Sequence, residues 1–318
     1  PLITGDSTES IIEAIKHCIA PKLIGKNLTD FNHLLQINQD ALQKNTSAKA
    51  AIDIALHDLF AQKCNLPLYQ FLGGGKNQIK SCITISLKDE NEMAADALEF
   101  ISQGFTTLKI KVGSGIATDL KRIHAVYNAV AGKNIKLVVD ANQGWDAKSA
   151  IKIISQIKTQ NIVFVEQPVI AHDLINLKFI HDNVTTPIFA DESCFLPVDA
   201  LNLAKLNACS GINIKLMKCA SLKNALAIYN IAKVANMQTM VGCMLESPIG
   251  VAAIASFALS KPDIYFADLD PIALIKHNPI VGGATILKDT ITLSNAPGLG
   301  IKSLGDSFKP VCEVENAI

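Results

Sequence analysis

The sequence predicts an α/β protein built around a barrel of parallel strands, and three observations carry that prediction. From about residue 80 onward, short apolar runs alternate with helix-length amphipathic segments, the pattern of a parallel sheet with helices outside it. Eight such runs over about 200 residues fit a (β/α)8 barrel better than an open sheet. No G-x-G-x-x-G follows any run, so the usual mark of a dinucleotide-binding open sheet is absent from the sequence.

The elements follow in order. Residues 7–72 read as helical: SIIEAIKHCIAP has helical spacing and is expected to stop at Pro21, and SAKAAIDIALHDLFAQ is expected to start from a Ser47 cap. Asp53, His57 and Asp58 fall within this second helix and read as structural or solvent-facing. The strand signals are SCITISL, TTLKIKV, IKLVVD, IVFVEQP, PIFADES, GINIKLM, MQTMVGC and IYFADLD. Between the second and third, DLKRIHAVYNAV places Leu120, Ile123, Tyr127 and Val130 on one helical face. Gly113-Ser114-Gly115 and Gly73-Gly74-Gly75-Lys76 lack the spacings of nucleotide-binding loops and read as turns. PIGVAAIASFALS is too short for a membrane span, which needs roughly 18 apolar residues, and suits a packed helix.

Composition bounds the function. With 49% hydrophobic and 18% charged residues, the 318-residue chain can bury a large core, which argues against disorder. The 29 basic residues balance the 29 acidic ones with no basic stripe, so neither nucleic acid nor a membrane surface is an expected partner. A small molecule is, and nothing here speaks against a homo-oligomer. The eight cysteines (18, 64, 82, 194, 209, 219, 243 and 312) form no C-x-x-C pair and fit free thiols of a reducing, cytoplasmic compartment. The chain opens at Pro1 without an initiator methionine, so an upstream segment is expected to be missing.

The charges within the runs point to chemistry. Lys111, Asp140, Glu166, Asp191 and Lys215 each lie at or near the C-terminal end of an apolar run, separated by 29, 26, 25 and 24 residues, one strand-and-helix unit each time. In a (β/α)8 barrel those ends converge on one mouth. Three carboxylates on adjacent strands raise one another's pKa unless a cation lies among them. Hard oxygen ligands, with no H-E-x-x-H and no histidine at a strand end, favour Mg²⁺ over zinc, with Mn²⁺ as a substitute. Such an ion can chelate a substrate carboxylate and stabilise the enediolate formed when the α-proton leaves. Lys111 precedes the acids and Lys215 follows them, so the two approach a bound substrate from opposite sides. Inversion of one carbon needs this: one base removes the proton and another returns it. In TLKIKV, alternation turns Leu108, Ile110 and Val112 outward and Lys109 and Lys111 into the mouth. Burial, the cation and Lys109 are expected to lower the pKa of Lys111, while Lys109 stays charged.

K-x-K, D-A-N-Q-G-W, V-E-Q-P, A-D-E-S and I-N-I-K-L-M-K, in that order, resemble the muconate-lactonizing subgroup of the enolase superfamily over essentially the whole chain. The resemblance implies a (β/α)7β barrel of TIM type with an α+β capping domain. Its domains would be 1–79, the helical part of the cap with the first cap strands apparently absent; 80–288, the catalytic barrel; and 289–318, a segment returning to the cap. It makes Asp140, Glu166 and Asp191 the Mg²⁺ ligands, Lys111 and Lys215 the acid/base pair and Lys109 an electrostatic helper. Asn142, Glu192 and Asn213 become candidates for supporting contacts.

Asp268 and Asp270 in the last run lie two apart, hence on one face near the mouth. This D-x-D is similar to the dipeptide epimerase motif that grips the substrate's ammonium group. The resemblance therefore implies an isomerase: a dipeptide epimerase inverting the Cα of the C-terminal residue, with L-Ala-D/L-Glu from cell-wall peptide turnover as the leading substrate. A cycloisomerase or o-succinylbenzoate synthase of the same subgroup is the alternative, and a Schiff-base aldolase the competitor from another class. One departure touches specificity: where the family commonly has K-x-G-G, this chain has Lys218-Cys219-Ala220-Ser221.

Overall fold

A computed structural model describes residues 3–305. After a short strand β1 (Gln78–Lys80), all eight expected strands form one parallel sheet in chain order. They are β2 (Ile83–Ile85), β3 (Thr107–Lys111), β4 (Lys136–Asp140), β5 (Ile162–Glu166), β6 (Ile188–Ala190), β7 (Gly211–Ile214), β8 (Gln238–Gly242) and β9 (Phe266–Asp268). A helix of ten to fifteen residues fills each of the seven connections. After β9 only the single turn Pro271–Leu274 follows, so the architecture is (β/α)7β. The Cys82 N–H reaches the Ala267 carbonyl at 3.1 Å and draws the two edges together.

Strand alternation builds the interior in two layers. Val138, Phe164, Phe189 and Met240 point inward and pack as one apolar cluster, the Phe164 and Phe189 rings 4.4 Å apart between centroids. Gly211 makes room for it, since a Cβ there would fall 2.4 Å from the Phe189 ring. Asp140, Glu166 and Asp191 each follow a member of that cluster by two residues, so they face the same way one layer nearer the mouth. The alternate residues, Leu108, Ile110, Leu137 and Val139 among them, are fully buried in the larger core shared with the outer helices.

The helical part before β1 departs from the sequence expectations at two points. Helical structure does not stop at Pro21. It runs as Thr8–Glu13, a π-helical turn Ala14–Ile19 and Ala20–Leu23, with Pro21 just past the π-helical turn. The helix expected to begin at Ser47 spans Thr46–Lys63, and Ser47 lies inside it. One of its free first-turn donors is satisfied from a distance instead, the Ser47 N–H donating to Asp6 Oδ2 at 2.9 Å. Asp53 is buried and accepts the Leu222 N–H at 2.9 Å, and Asp58 accepts that of Leu299 at 2.6 Å, so both join this helix to other parts of the chain.

Beyond the barrel, β10 (Ile280–Gly282), β11 (Ala284–Leu287), β12 (Thr290–Leu293) and β13 (Ile301–Leu304) form two small antiparallel sheets, β1-β12-β11 and β10-β13. β10 and β11 lie within the span 80–288 expected for the barrel but pair outside it. Among the described residues no helix is long and apolar enough to cross a membrane. Seven of the eight cysteines are free thiols, and Cys312 lies outside the described residues.

Candidate active site

The register of the parallel strands sets the site. Lys111 lies beside Asp140, and Asp140 beside Glu166, across β3, β4 and β5. Asp191 and Lys215 come one residue past the ends of β6 and β7, and Gly242 on β8 is paired with Asp268 on β9. All these side chains therefore surround one mouth, as strand ends of a parallel barrel must. Its cavity of about 370 Å³ is lined by Lys109, Lys111, Asn142, Asp191, Glu192, Lys215, Asp268 and Asp270, with Ile3, Met244, Leu245 and Leu274 on its apolar side. A larger, mainly apolar cleft of about 730 Å³ adjoins it through Met244 and Leu245 but gathers no comparable charges, so the chemistry belongs to the smaller cavity.

Within the mouth, lysines and acids are interleaved. Lys109 starts one layer lower, beside Val138, and its long side chain reaches up among three acids. Its Nζ lies 2.9 Å from Asp140, 2.8 Å from Glu166 and 2.6 Å from Asp268. Burial opposes its charge, but Asp140, Asp268 and Glu166 outweigh burial and hold its pKa well above the ordinary value. Lys111 Nζ contacts Asp140 at 2.7 Å and Asn142 Oδ1 at 2.7 Å. Lys215 Nζ contacts Asp191 at 2.6 Å, and despite burial that carboxylate keeps it an ammonium. Lys218 lies 2.5 Å from the other Asp191 oxygen and donates to the Asn213 carbonyl at 3.0 Å.

The acids titrate apart. Burial works to raise Asp140 and Asp191, yet Lys109 and Lys111 for the first, and Lys215 and Lys218 for the second, hold them below the carboxylate range. Glu166 is pushed up to about 7 because burial, with Asp140 and Asp191, outweighs Lys109. Asn213 donates to Glu166 Oε1 at 2.7 Å, and Asn142 to Glu192 at 3.1 Å. Asp270 accepts the Thr84 N–H at 2.7 Å and is raised to about 6 by burial and then by Asp268.

Two facts bear on whether a cation fits. Glu166 Oε2 and Asp191 Oδ1 are buried, and each meets only a lysine, at 2.8 and 2.5 Å, without good hydrogen-bond geometry. These oxygens, with Asp140 on the adjacent strand β4, are a hard donor set suited to Mg²⁺. As the side chains stand, lysines occupy the space between the acids. Among the described residues no three acid, histidine or cysteine side chains close around one point. Two neighbours carry no signal of their own in the sequence, Lys218 and Gln167, each lying inside a motif. Their burial among polar partners is set by contacts from other strands, which no local pattern signals.

Comparison with known proteins gives the family. Residues 92–306 match the family described as "Enolase C-terminal domain-like", and residues 1–73 match "Mandelate racemase / muconate lactonizing enzyme, N-terminal domain". The L-Ala-D/L-Glu epimerase of Clostridium acetobutylicum is 43% identical over 307 residues, covering 96% of this chain and 86% of that protein. The substrate-liganded L-Ala-D/L-Glu epimerase of Bacillus subtilis superposes with a TM-score of 0.93 at 43% identity, covering 95% of this chain and 85% of the other. A dipeptide epimerase of Enterococcus faecalis, solved with Mg and the dipeptide L-Leu-L-Tyr, gives 0.91 at 42% identity, covering 95% and 85%.

Proposed function

The chain belongs to the mandelate racemase/muconate lactonizing enzyme family, with its enolase-like C-terminal domain, and on that premise we propose that it is a Mg²⁺-dependent dipeptide epimerase. The observation that carries the reading is the pair of lysines on opposite sides of three strand-end carboxylates. Lys111 enters from β3 and Lys215 from beyond β7, with Asp140, Glu166 and Asp191 between them.

Asp140, Glu166 and Asp191 would hold the ion. When bound, Mg²⁺ supplies positive charge against the substrate's C-terminal carboxylate as the α-proton leaves. The residues of this chain do the rest. One lysine takes the proton from Cα on its side, and the other delivers a proton from the opposite side, which inverts the centre. Each stands now as a carboxylate's partner, so each must leave Asp140 or Asp191, and give up a proton, before it can act as a base. Lys109, buried and held cationic, offsets charge that builds beneath the substrate. Asp268 and Asp270 receive the N-terminal ammonium, whose positive charge would offset the burial that raises Asp270. Asn142, Glu192 and Asn213 brace Lys111 and the acids through the hydrogen bonds described above. A cycloisomerase or o-succinylbenzoate synthase would bring the aspartate pair no ammonium to bind, because their substrates carry none.

L-Ala-D/L-Glu is the leading substrate, supported by the similarity to epimerases of that name. One observation favours a second class, dipeptides with an apolar residue: the non-catalytic wall of the mouth carries Met244, Leu245 and Leu274, and Leu245 is 85% exposed. The test is incubation with Mg²⁺ and a dipeptide library in D₂O, reading deuterium at Cα by mass spectrometry. Exchange is expected with inversion of the C-terminal residue, and the library ranks Ala-Glu against apolar dipeptides. No exchange with any dipeptide would sink the epimerase reading.

A further inference from the structure

Gln167 follows Glu166 directly yet does not line the mouth. It is fully buried, and its φ of +36° lies in the left-handed region that a side-chain-bearing residue adopts only when its surroundings require it. Its amide is fully used. Oε1 accepts the Asp191 N–H at 2.9 Å and the Ser193 N–H at 3.0 Å. Nε2 donates to the Val169 carbonyl at 2.8 Å and to Ser193 Oγ at 2.8 Å. The backbone is bonded on both sides as well: its N–H to the Phe189 carbonyl at 2.9 Å, and its carbonyl to the Gln143 N–H at 2.8 Å. Thus one residue, locked in a strained conformation beside Glu166, is tied to the chain on both sides of Asp191 and to the loop that follows Asp140.

We infer that Gln167 is a positioning residue that aligns the exits of β4, β5 and β6, so that the Asp140, Glu166 and Asp191 carboxylates can converge on one cation. The amide is suited to this. It carries no charge to compete with the ion, and it offers two donors and an acceptor on separate atoms, where an ionised carboxylate has no donor and a hydroxyl only one. The lysines must give way for an ion to enter, so the backbone of the ligands, not their present side-chain contacts, has to define where they meet. Partners that orient ligands without touching the metal typically set metal affinity by about 10- to 100-fold. A residue that only filled space there would change stability and leave ion affinity alone.

The inference rests on the metal site proposed above, and the experiment separates the two. Mg²⁺ is titrated by calorimetry into the metal-free protein and into Gln167→Leu, which keeps the bulk but removes all four amide bonds. The expected result is a folded variant that binds Mg²⁺ about 10- to 100-fold more weakly. Activity at saturating Mg²⁺ should fall by much less than the affinity does. Equal Mg²⁺ affinity in a folded Gln167→Leu protein overturns the inference and leaves the metal site standing. Absence of Mg²⁺ binding by the unsubstituted protein overturns both. Should Gln167→Leu fail to fold, Ser193→Ala removes one of the four bonds, with an expected loss of about 2- to 10-fold in Mg²⁺ affinity. An unchanged affinity there overturns the inference as well.

Discussion

Asp140 and Asp191 each hold two lysines, and within each set one lysine is fully buried and the other closer to the cavity. Lys109 and Lys218 are buried with side chains 1% exposed, whereas Lys111 is 27% and Lys215 7% exposed. The division suits two tasks. A buried ammonium tied to several oxygens is a fixed charge, while a lysine with a single carboxylate partner and access to the cavity can move a proton. Lys111→Ala and Lys215→Ala are therefore expected each to abolish epimerisation, with losses of about 10²- to 10⁴-fold or more per removed base. Each variant should still wash deuterium into one enantiomer, the one whose α-proton faces the surviving lysine. Chiral analysis of the exchanged dipeptide checks this. Near-normal inversion by both variants would rule out a two-base mechanism.

Among the elements, the turn after β7 best shows what a sequence motif can and cannot say. The chain reads Lys218-Cys219-Ala220-Ser221 there, and Ala220 takes a φ of +69°, the left-handed region. A Cβ in that conformation costs about 1–2 kcal/mol, and the extra freedom of glycine in the unfolded chain gives back about 0.4–1 kcal/mol. Ala220→Gly is thus expected to stabilise the protein by up to about 1.6 kcal/mol, read as a shift in the urea midpoint at constant slope. A lower midpoint would show that the Ala220 methyl packs better than its backbone strain costs. The departure from K-x-G-G was visible in the sequence; that it falls on a left-handed residue was not. The same boundary runs through the rest of the fold. The eight strands and the order of their terminal charges were legible because alternation is local, fixed by neighbours two residues apart. Pro21 and Ser47 misled because a π-helical turn and a carboxylate 41 residues away, Asp6, settle those helix ends. Lys218 and Gln167 stayed silent for the same reason: their partners reach them only once adjacent strands are in register.

For the molecule as a whole, the mouth poses a stability problem that its own lysines reduce. Asp140, Glu166, Asp191 and Asp268 are buried together, and each has an ammonium group within 3 Å, supplied by Lys109, Lys111, Lys215 and Lys218. Buried acids without such partners would have to protonate or force the strand ends apart. The fold beneath them needs no ion either, since the apolar layer of Val138, Phe164, Phe189 and Met240 closes the barrel below the charges. Chelation by EDTA should therefore leave a folded protein with a cooperative thermal transition, unlike small domains whose fold depends on their metal. If Mg²⁺ binds the proposed site, and so only the folded arrangement, it must raise stability by mass action, by about 2.7 kcal/mol at a hundredfold excess over its Kd. At roughly 2 °C per kcal/mol for a chain of this size, the melting temperature should rise by about 5 °C. Scanning calorimetry with EDTA and then with millimolar Mg²⁺ measures both quantities. Unfolding on chelation would mean that the lysines do not neutralise the acids by themselves. An unmoved melting temperature at saturating Mg²⁺ would mean that the carboxylates never exchange their lysines for the ion.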